Sequence, residues 1–295
     1  MEELINTIQL GSCYELLKDI PDKSIDCVYV DVPYLMKQGG AGVSELAKRA
    51  TKNKVELMGG IKNYDPNIAN KENIRIAKNK VNQRNELNNA DITSGFDYKK
   101  FIDEAFRVMR IPNLFIWCSP MQIKDLLDYI YIYISSTPTI LVWCKTNPIP
   151  TTNNLWLSDV EYCIYVRGAG IKLNDGYELK SKWYISEINQ KDKALFKHPT
   201  IKPLELVKRH ILHSTQPNDI VLDCFCGSGT TCVACKETGR RYIGMEIDKE
   251  YWKIANDRLN GINANGQMSI FTDFDKVEES KWKNMLYTKV KNVWQ

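Results

Sequence analysis

Nine consecutive residues, Asp223-Cys224-Phe225-Cys226-Gly227-Ser228-Gly229-Thr230-Thr231, place a carboxylate, two glycines and three hydroxyls between an apolar run and a helical pattern. Glycines let a backbone turn sharply and approach a ligand that a side chain would exclude. A nucleoside-containing cofactor fits such a turn. Glu246 ends the next apolar run, 23 positions after Asp223, where an acid can accept hydrogen bonds from ribose hydroxyls. The turn lacks the Gly-Lys-Ser/Thr ending of a phosphate-cradling loop, and only Gly227 and Gly229 match the dinucleotide pattern GxGxxG. A second candidate, Asp31-Val32-Pro33-Tyr34, closes the apolar run Ile25–Val30, and strand exits are where ligands bind in open α/β sheets. A third, His198-Pro199-Thr200-Ile201-Lys202-Pro203, stands directly before a helical pattern. Read singly, each also suits a plain tight turn, a strand exit or a helix lead-in.

The elements that must position these residues follow from periodicity. Short apolar runs alternate with helical patterns, which predicts an α/β fold with a parallel sheet and crossover helices. Strands are expected at 25–30, 114–118, 139–143, 160–166, 219–224 and 241–246. Helices are expected over 96–109, from the Ser119-Pro120 cap through Ile130, from Pro203 past Leu212, from Gly229 to a stop at Gly239, and after the cap Asp248. The last strands and helices form one continuous βαβ unit. Two stretches do not fit the sheet: 36–90, rich in Lys, Asn and Gly, and 168–197, polar but interleaved with Tyr177, Trp183, Tyr184 and Phe196. Insertions of that length usually carry function.

Composition narrows the class. The 295 residues are 43% hydrophobic and 26% charged, which excludes disorder and small disulfide scaffolds. The longest nearly apolar stretch, 129–144, is interrupted by Ser135, Ser136, Thr137 and Pro138 and is too short and polar to span a bilayer. Glu2 and Glu3 stand where a secretory signal carries basic residues, so a cytoplasmic protein is expected. The nine cysteines, an odd number scattered through apolar segments, suit free thiols. The net charge of +4 is uneven: 36–90 holds eleven Lys or Arg against five Asp or Glu. Such a segment is either a solvated loop or a surface that meets phosphate.

Together the motifs resemble those of the β-class amino-methylating DNA methyltransferases, bacterial and phage enzymes that use S-adenosylmethionine. Asp31-Val32-Pro33-Tyr34 matches the family's Asp-Pro-Pro-Tyr motif, and Trp143-Cys144-Lys145-Thr146-Asn147 with Pro150 matches Trp-x-Lys-x-Asn. His198–Pro203 matches His-Pro-Thr-x-Lys-Pro, 223–231 matches Asp-Pro-Phe-x-Gly-Ser-Gly-Thr-Thr, and 242–251 resembles the ribose-binding segment. The catalytic motif precedes the cofactor loop, the order that defines the class. The resemblance implies a Rossmann-like methyltransferase fold with permuted motif order, read as a single catalytic domain over 1–295. It implies catalytic roles for Asp31, Val32, Pro33 and Tyr34. It places S-adenosylmethionine against Asp223, Phe225, Gly227, Ser228 and Gly229, with Glu246 on the ribose and Thr200 and Lys202 near the methionine end. No metal is expected. An acid at the head of the catalytic motif favours adenine N6 in double-stranded DNA, with cytosine N4, or a catalytically impaired DNA-binding relative, as alternatives. RNA and protein are lesser candidate substrates. A restriction endonuclease partner and a homodimer are further implications of the resemblance.

Three positions depart from the family pattern: Val32 and Cys224 replace prolines, and Ser12 stands where relatives often carry an acid that contacts the cofactor adenine. Target recognition is expected in 168–197, and phosphate contact in 36–90 through Lys48, Arg49, Lys52 and Lys54. Neutralising those four should weaken DNA binding and flatten its dependence on salt, measured by titration across ionic strengths. An unchanged slope would refute the role.

Overall fold

A computed structural model describes residues 1–34, 96–148, 156–174, 180–196 and 201–262. The chain divides into two compact units, Met1–Pro33 with Asp97–Gln295, and Tyr34–Phe96. The second spans the whole basic stretch 36–90, and Lys48, Arg49, Lys52 and Lys54 lie outside the described residues, as do His198, Pro199 and Thr200.

Within the first unit the elements are β1 (Thr7–Leu10), α1 (Cys13–Leu16), β2 (Cys27–Asp31), α2 (Tyr98–Val108), β3 (Asn113–Cys118), α3 (Pro120–Ile132), β4 (Pro138–Lys145) and β5 (Val160–Arg167). They continue with β6 (Trp183–Ser186), α4 (Gln190–Phe196), α5 (Leu204–Ser214), β7 (Ile220–Asp223), α6 (Thr230–Glu237), β8 (Arg241–Glu246) and α7 (Lys249–Leu259). Local chemistry sets their limits. Asp97 and Asp248 accept backbone N–H bonds at the starts of α2 and α7, and Ser119 and Gln122 form a capping box ahead of Pro120. The strands β3 and β7 are buried along their whole length, which explains their continuous apolar runs.

The strands form one sheet in the order β1-β8-β7-β2-β3-β5-β4-β6. Pairings from β1 through β3 are all parallel. Beyond them the expectation of a parallel sheet is corrected, because β5 runs antiparallel to both β3 and β4. An antiparallel pair such as β4 and β5 needs no crossover helix, so the chain can return directly into the neighbouring strand. A second correction concerns 168–197. Part of it, β6, joins the sheet parallel to β4, with alternating exposure along the strand. Polar neighbours hide this short strand from a reading of periodicity. The N-terminal strand β1 was likewise not anticipated.

The topology is woven. The C-terminal strands β8 and β7 lie between β1 and β2 from the N-terminal end. From β7 the chain passes through α6 to β8, whereas β2 leads the other way, toward β3. The carboxyl ends of β7 and β2 therefore flank the point where connections diverge, the place where open α/β sheets bind ligands. Among the described residues no helix is long and apolar enough to cross a membrane.

The weave depends on a tight seam. Gly244 of β8 pairs with Ile8 of β1, and a Cβ there would meet Ile8 Cγ1 at 2.9 Å and Cys232 Sγ at 3.0 Å. Gly244→Val is expected to destabilise the fold by about 1–3 kcal/mol through overpacking, read as a fall in Tm of about 2–4 °C per kcal/mol. An unchanged melting curve would contradict the packing of β1 on β8.

Candidate active site at the carboxyl ends of β7 and β2

Three acids end neighbouring parallel strands: Glu246 on β8, Asp223 on β7 and Asp31 on β2. The sheet thus brings the cofactor-type turn and the catalytic motif, far apart in sequence, to one edge.

Asp31 lies opposite Trp117 in the β2–β3 register, and the Val32 N–H donates to the Trp117 carbonyl at 3.1 Å. A proline at 32 could not donate this bond. Valine loses proline's fixed backbone angle but adds a hydrogen bond that extends the ladder past the Asp31 carboxylate. The Pro33 carbonyl accepts from Gln122 Nε2 at 2.9 Å, tying the turn to the first residues of α3. Beneath it, Trp117 Nε1 donates to Tyr29 Oη at 2.8 Å. Tyr29 Oη lies 3.3 Å from Nδ1 of His210, whose pKa is held well below the ordinary histidine range by burial, with Arg209 and His213 adding to the effect.

Lys202 approaches from the lead-in to α5. Its Nζ is 2.5 Å from Asp31 Oδ2 and 3.0 Å from Glu161 Oε2, and it lies 5.3 Å from the Trp117 ring centroid. Lys145 Nζ meets the other oxygen of Glu161 at 2.7 Å. Burial pushes the Glu161 carboxyl up, but the two ammonium groups outweigh it and bring the carboxyl down to about 2. Both are ammonium-bearing residues of expected motifs. The resemblance put Lys202 near the methionine end of the cofactor; in the structure its ammonium bridges Asp31 and Glu161. Glu161 and the position of Lys145 were missed from sequence. The available signal was Glu161 itself, the lone charged residue in the run 160–166.

The glycine turn is held from three sides. Asp223 Oδ1 accepts from the Phe225 N–H at 3.0 Å, the Cys226 N–H reaches the Met245 carbonyl at 3.0 Å, and the Gly227 N–H reaches Glu246 Oε2 at 2.7 Å. Gly227 and Gly229 have φ of 50° and 75°, values that L side chains rarely adopt. A Cβ on Gly229 would also sit 3.0 Å from Ala255 Cβ of α7. Arg258, another residue not singled out from sequence, donates to Thr230 Oγ1 at 2.8 Å and to Asp192 Oδ2 of α4 at 3.0 Å. Ser12 follows β1 beside this edge, since the Gly11 N–H donates to the Glu246 carbonyl at 2.8 Å. Cys224, Cys226, Cys232 and Cys235 are buried free thiols, and among the described residues no group of three or more His, Cys, Asp or Glu is placed to hold a metal ion. The acceptors fit an adenosyl cofactor: the Glu246 oxygens, which accept the Gly227 and Asp248 N–H groups, keep further lone pairs for a ribose diol, and the glycines leave the backbone of the turn free of obstructing side chains. Thr200, Tyr34 and the four basic residues expected to meet phosphate add nothing to this geometry, Thr200 and the basic residues being outside the described residues and Tyr34 belonging to the second unit.

Burial pushes the Asp223 carboxyl up to about 7, against the hydrogen bonds of Thr231 and the Phe225 N–H, and Asp31 and Glu246 add to the rise. A carboxyl raised in the fold favours folding at acid pH, and that contribution is lost as pH rises through about 7. Asp223→Asn retains an acceptor for Phe225 without the charge. Relative to wild type it should gain about 1–3 kcal/mol of stability between pH 4 and pH 8, measured by denaturant unfolding. A difference independent of pH would contradict an uncharged Asp223 at acid pH.

Comparison with known proteins agrees with this geometry. The N6/N4 methyltransferase family, a DNA methylase family, matches residues 25–257. The Type II methyltransferase M2.LlaDCHI of Lactococcus lactis subsp. cremoris is 32% identical over 84% of this chain and 86% of its own. M2.DpnII of Streptococcus pneumoniae is 30% identical over 85% of this chain and 88% of its own. Among solved structures, the M1.HpyAVI–SAM complex aligns with a TM-score of 0.56 at 23% identity, covering 85% of this chain and 98% of that one. The cytosine-N4-specific PvuII DNA methyltransferase aligns with a TM-score of 0.58 at 14% identity, covering 97% and 92%. These two carry the fold alone. The chain belongs to the N6/N4 DNA methylase family and is an S-adenosylmethionine-dependent DNA methyltransferase.

Proposed function

We propose that the chain methylates the N6 amino group of adenine at a specific site in double-stranded DNA. The observation that carries this reading is the Asp31 carboxylate at the end of β2, held by Lys202 on the same sheet edge as Asp223 and Glu246. An adenine amino nitrogen is a poor nucleophile because its lone pair is delocalised into the ring. S-adenosylmethionine supplies the electrophilic methyl. Asp31 and the Val32 carbonyl accept the two amino hydrogens, which turns the nitrogen lone pair out of the ring plane and toward that methyl. Pro33 fixes the turn through its bond to Gln122. Tyr34 supplies an aromatic face for the base, which must leave the duplex because its amino group is inside the stack.

On the cofactor side Glu246 receives ribose hydroxyls. Phe225, Gly227, Ser228 and Gly229 line the nucleoside, and Asp223 holds their turn through the Phe225 N–H. Thr200 would contribute to holding the methionine end, and Lys202 bridges to Asp31. The acidic head of the motif supports adenine over cytosine. The Type II designation of the relatives supports a modification role beside a restriction endonuclease in a bacterial or phage-infected cytoplasm. Segment 168–197 serves recognition, and 36–90 grips phosphate.

Nucleoside mass spectrometry of unmethylated DNA incubated with the protein and S-adenosylmethionine tests the reading. N6-methyladenine is expected, with Asp31→Ala lowering the rate by at least about 100-fold. N4-methylcytosine, or N6-methyladenine undiminished in Asp31→Ala, would overturn it.

A further inference from the structure

Glu161 is the second residue of β5, opposite Trp143 in the β4–β5 register. A half-buried carboxylate is costly unless paired, and Glu161 is paired twice. Charges alternate along the line Lys145, Glu161, Lys202, Asp31, at separations of 2.7, 3.0 and 2.5 Å. The four come from β4, β5, the lead-in to α5, and β2, so the line crosses the sheet edge and ends on the carboxylate that faces the base. Lys193 of α4 also faces this group, and its ammonium is pushed down by burial, with Lys145 and Lys202 repelling it and Glu161 opposing them. The aromatic faces of Trp117 and Trp143 lie 5.3 and 5.2 Å from the two motif lysines and limit their swing.

We propose that Glu161 is a positioning residue for methyl transfer: together with Lys145 it holds the Lys202 ammonium at Asp31, so that the Asp31 carboxylate presents one orientation to the base amino group. The inference rests on the role of Asp31 given above. Without the Glu161 charge, Lys202 keeps a single carboxylate partner along this line, and Asp31 and Lys202 can rotate together. In this role Glu161 acts on the base only through Lys202 and Asp31. Its loss should therefore slow the step after binding and leave binding intact.

Steady-state kinetics of the full chain with DNA and S-adenosylmethionine test this. Glu161→Gln should lower kcat about 10- to 100-fold, the scale of a small misplacement of reacting groups, while KM for both substrates stays within about 3-fold and Tm is retained. Glu161→Asp should recover part of kcat. In a Lys202→Met background, Glu161→Gln should change kcat by less than about 2-fold, because the two act on Asp31 as a unit. Lys145→Met reads the same line from its far end and should lower kcat with KM held, which keeps the test open if Glu161→Gln does not fold. An unaltered kcat in Glu161→Gln and Lys145→Met, or a loss confined to KM, would overturn the positioning role. A wild-type protein that methylates no amino group would instead overturn the functional reading on which it rests.

Discussion

A single buried ammonium joins the parts of this molecule that do chemistry. Lys202 sits between Asp31 of β2 and Glu161 of β5, with the Trp117 ring beneath it. Two half-buried carboxylates at one sheet edge would repel each other and resist burial, and a cation between them relieves both effects. The consequence for catalysis is orientation. In the proposed role Asp31 accepts hydrogens in one geometry, which requires its side chain to be held before the base arrives. Lys202, Glu161 and Lys145 restrain it from one side. The Val32 N–H bond to β3 and the Gln122 bond to Pro33 restrain its backbone from the other.

The woven sheet makes that contact possible. Placing β8 and β7 between β1 and β2 puts a cofactor-type turn from late in the chain beside the Asp31 turn from early in the chain. The same weave gives the site two kinds of acid. Asp31 is matched with a cation. Asp223, in a buried position whose nearest acidic neighbours oppose its ionisation, serves as a hydrogen-bond anchor for the glycine turn. Arg258 extends the arrangement by linking that turn to α4, so the cofactor side of the cleft is braced against part of the 168–197 segment.

Much of this was legible in the residues. Strands such as 114–118 and 241–246 are readable because burial on both faces leaves continuous apolar runs, and the helices after Ser119 and Asp248 because their caps are explicit. The four ordered motifs carried the family. Strand direction was less legible: β5 reads like the parallel strands of the sheet, since burial sets composition while the connection sets direction. Strand β6 is four residues with a half-exposed face among polar neighbours, and leaves little periodicity to read. The partner of Lys202 was hidden for a different reason. Asp31 and Lys202 are 171 positions apart, and only the sheet order shows that Glu161, which lies in none of the motifs, completes their contact.

The most direct test of this account is a crystal structure of the chain with S-adenosylhomocysteine bound. The account predicts the ribose on Glu246, the thioether in the crevice between β7 and β2, and Lys202 Nζ still within hydrogen-bond distance of both Asp31 and Glu161. A ligand seated elsewhere, or a Lys202 that has left Asp31 for the ligand's carboxylate, would contradict it.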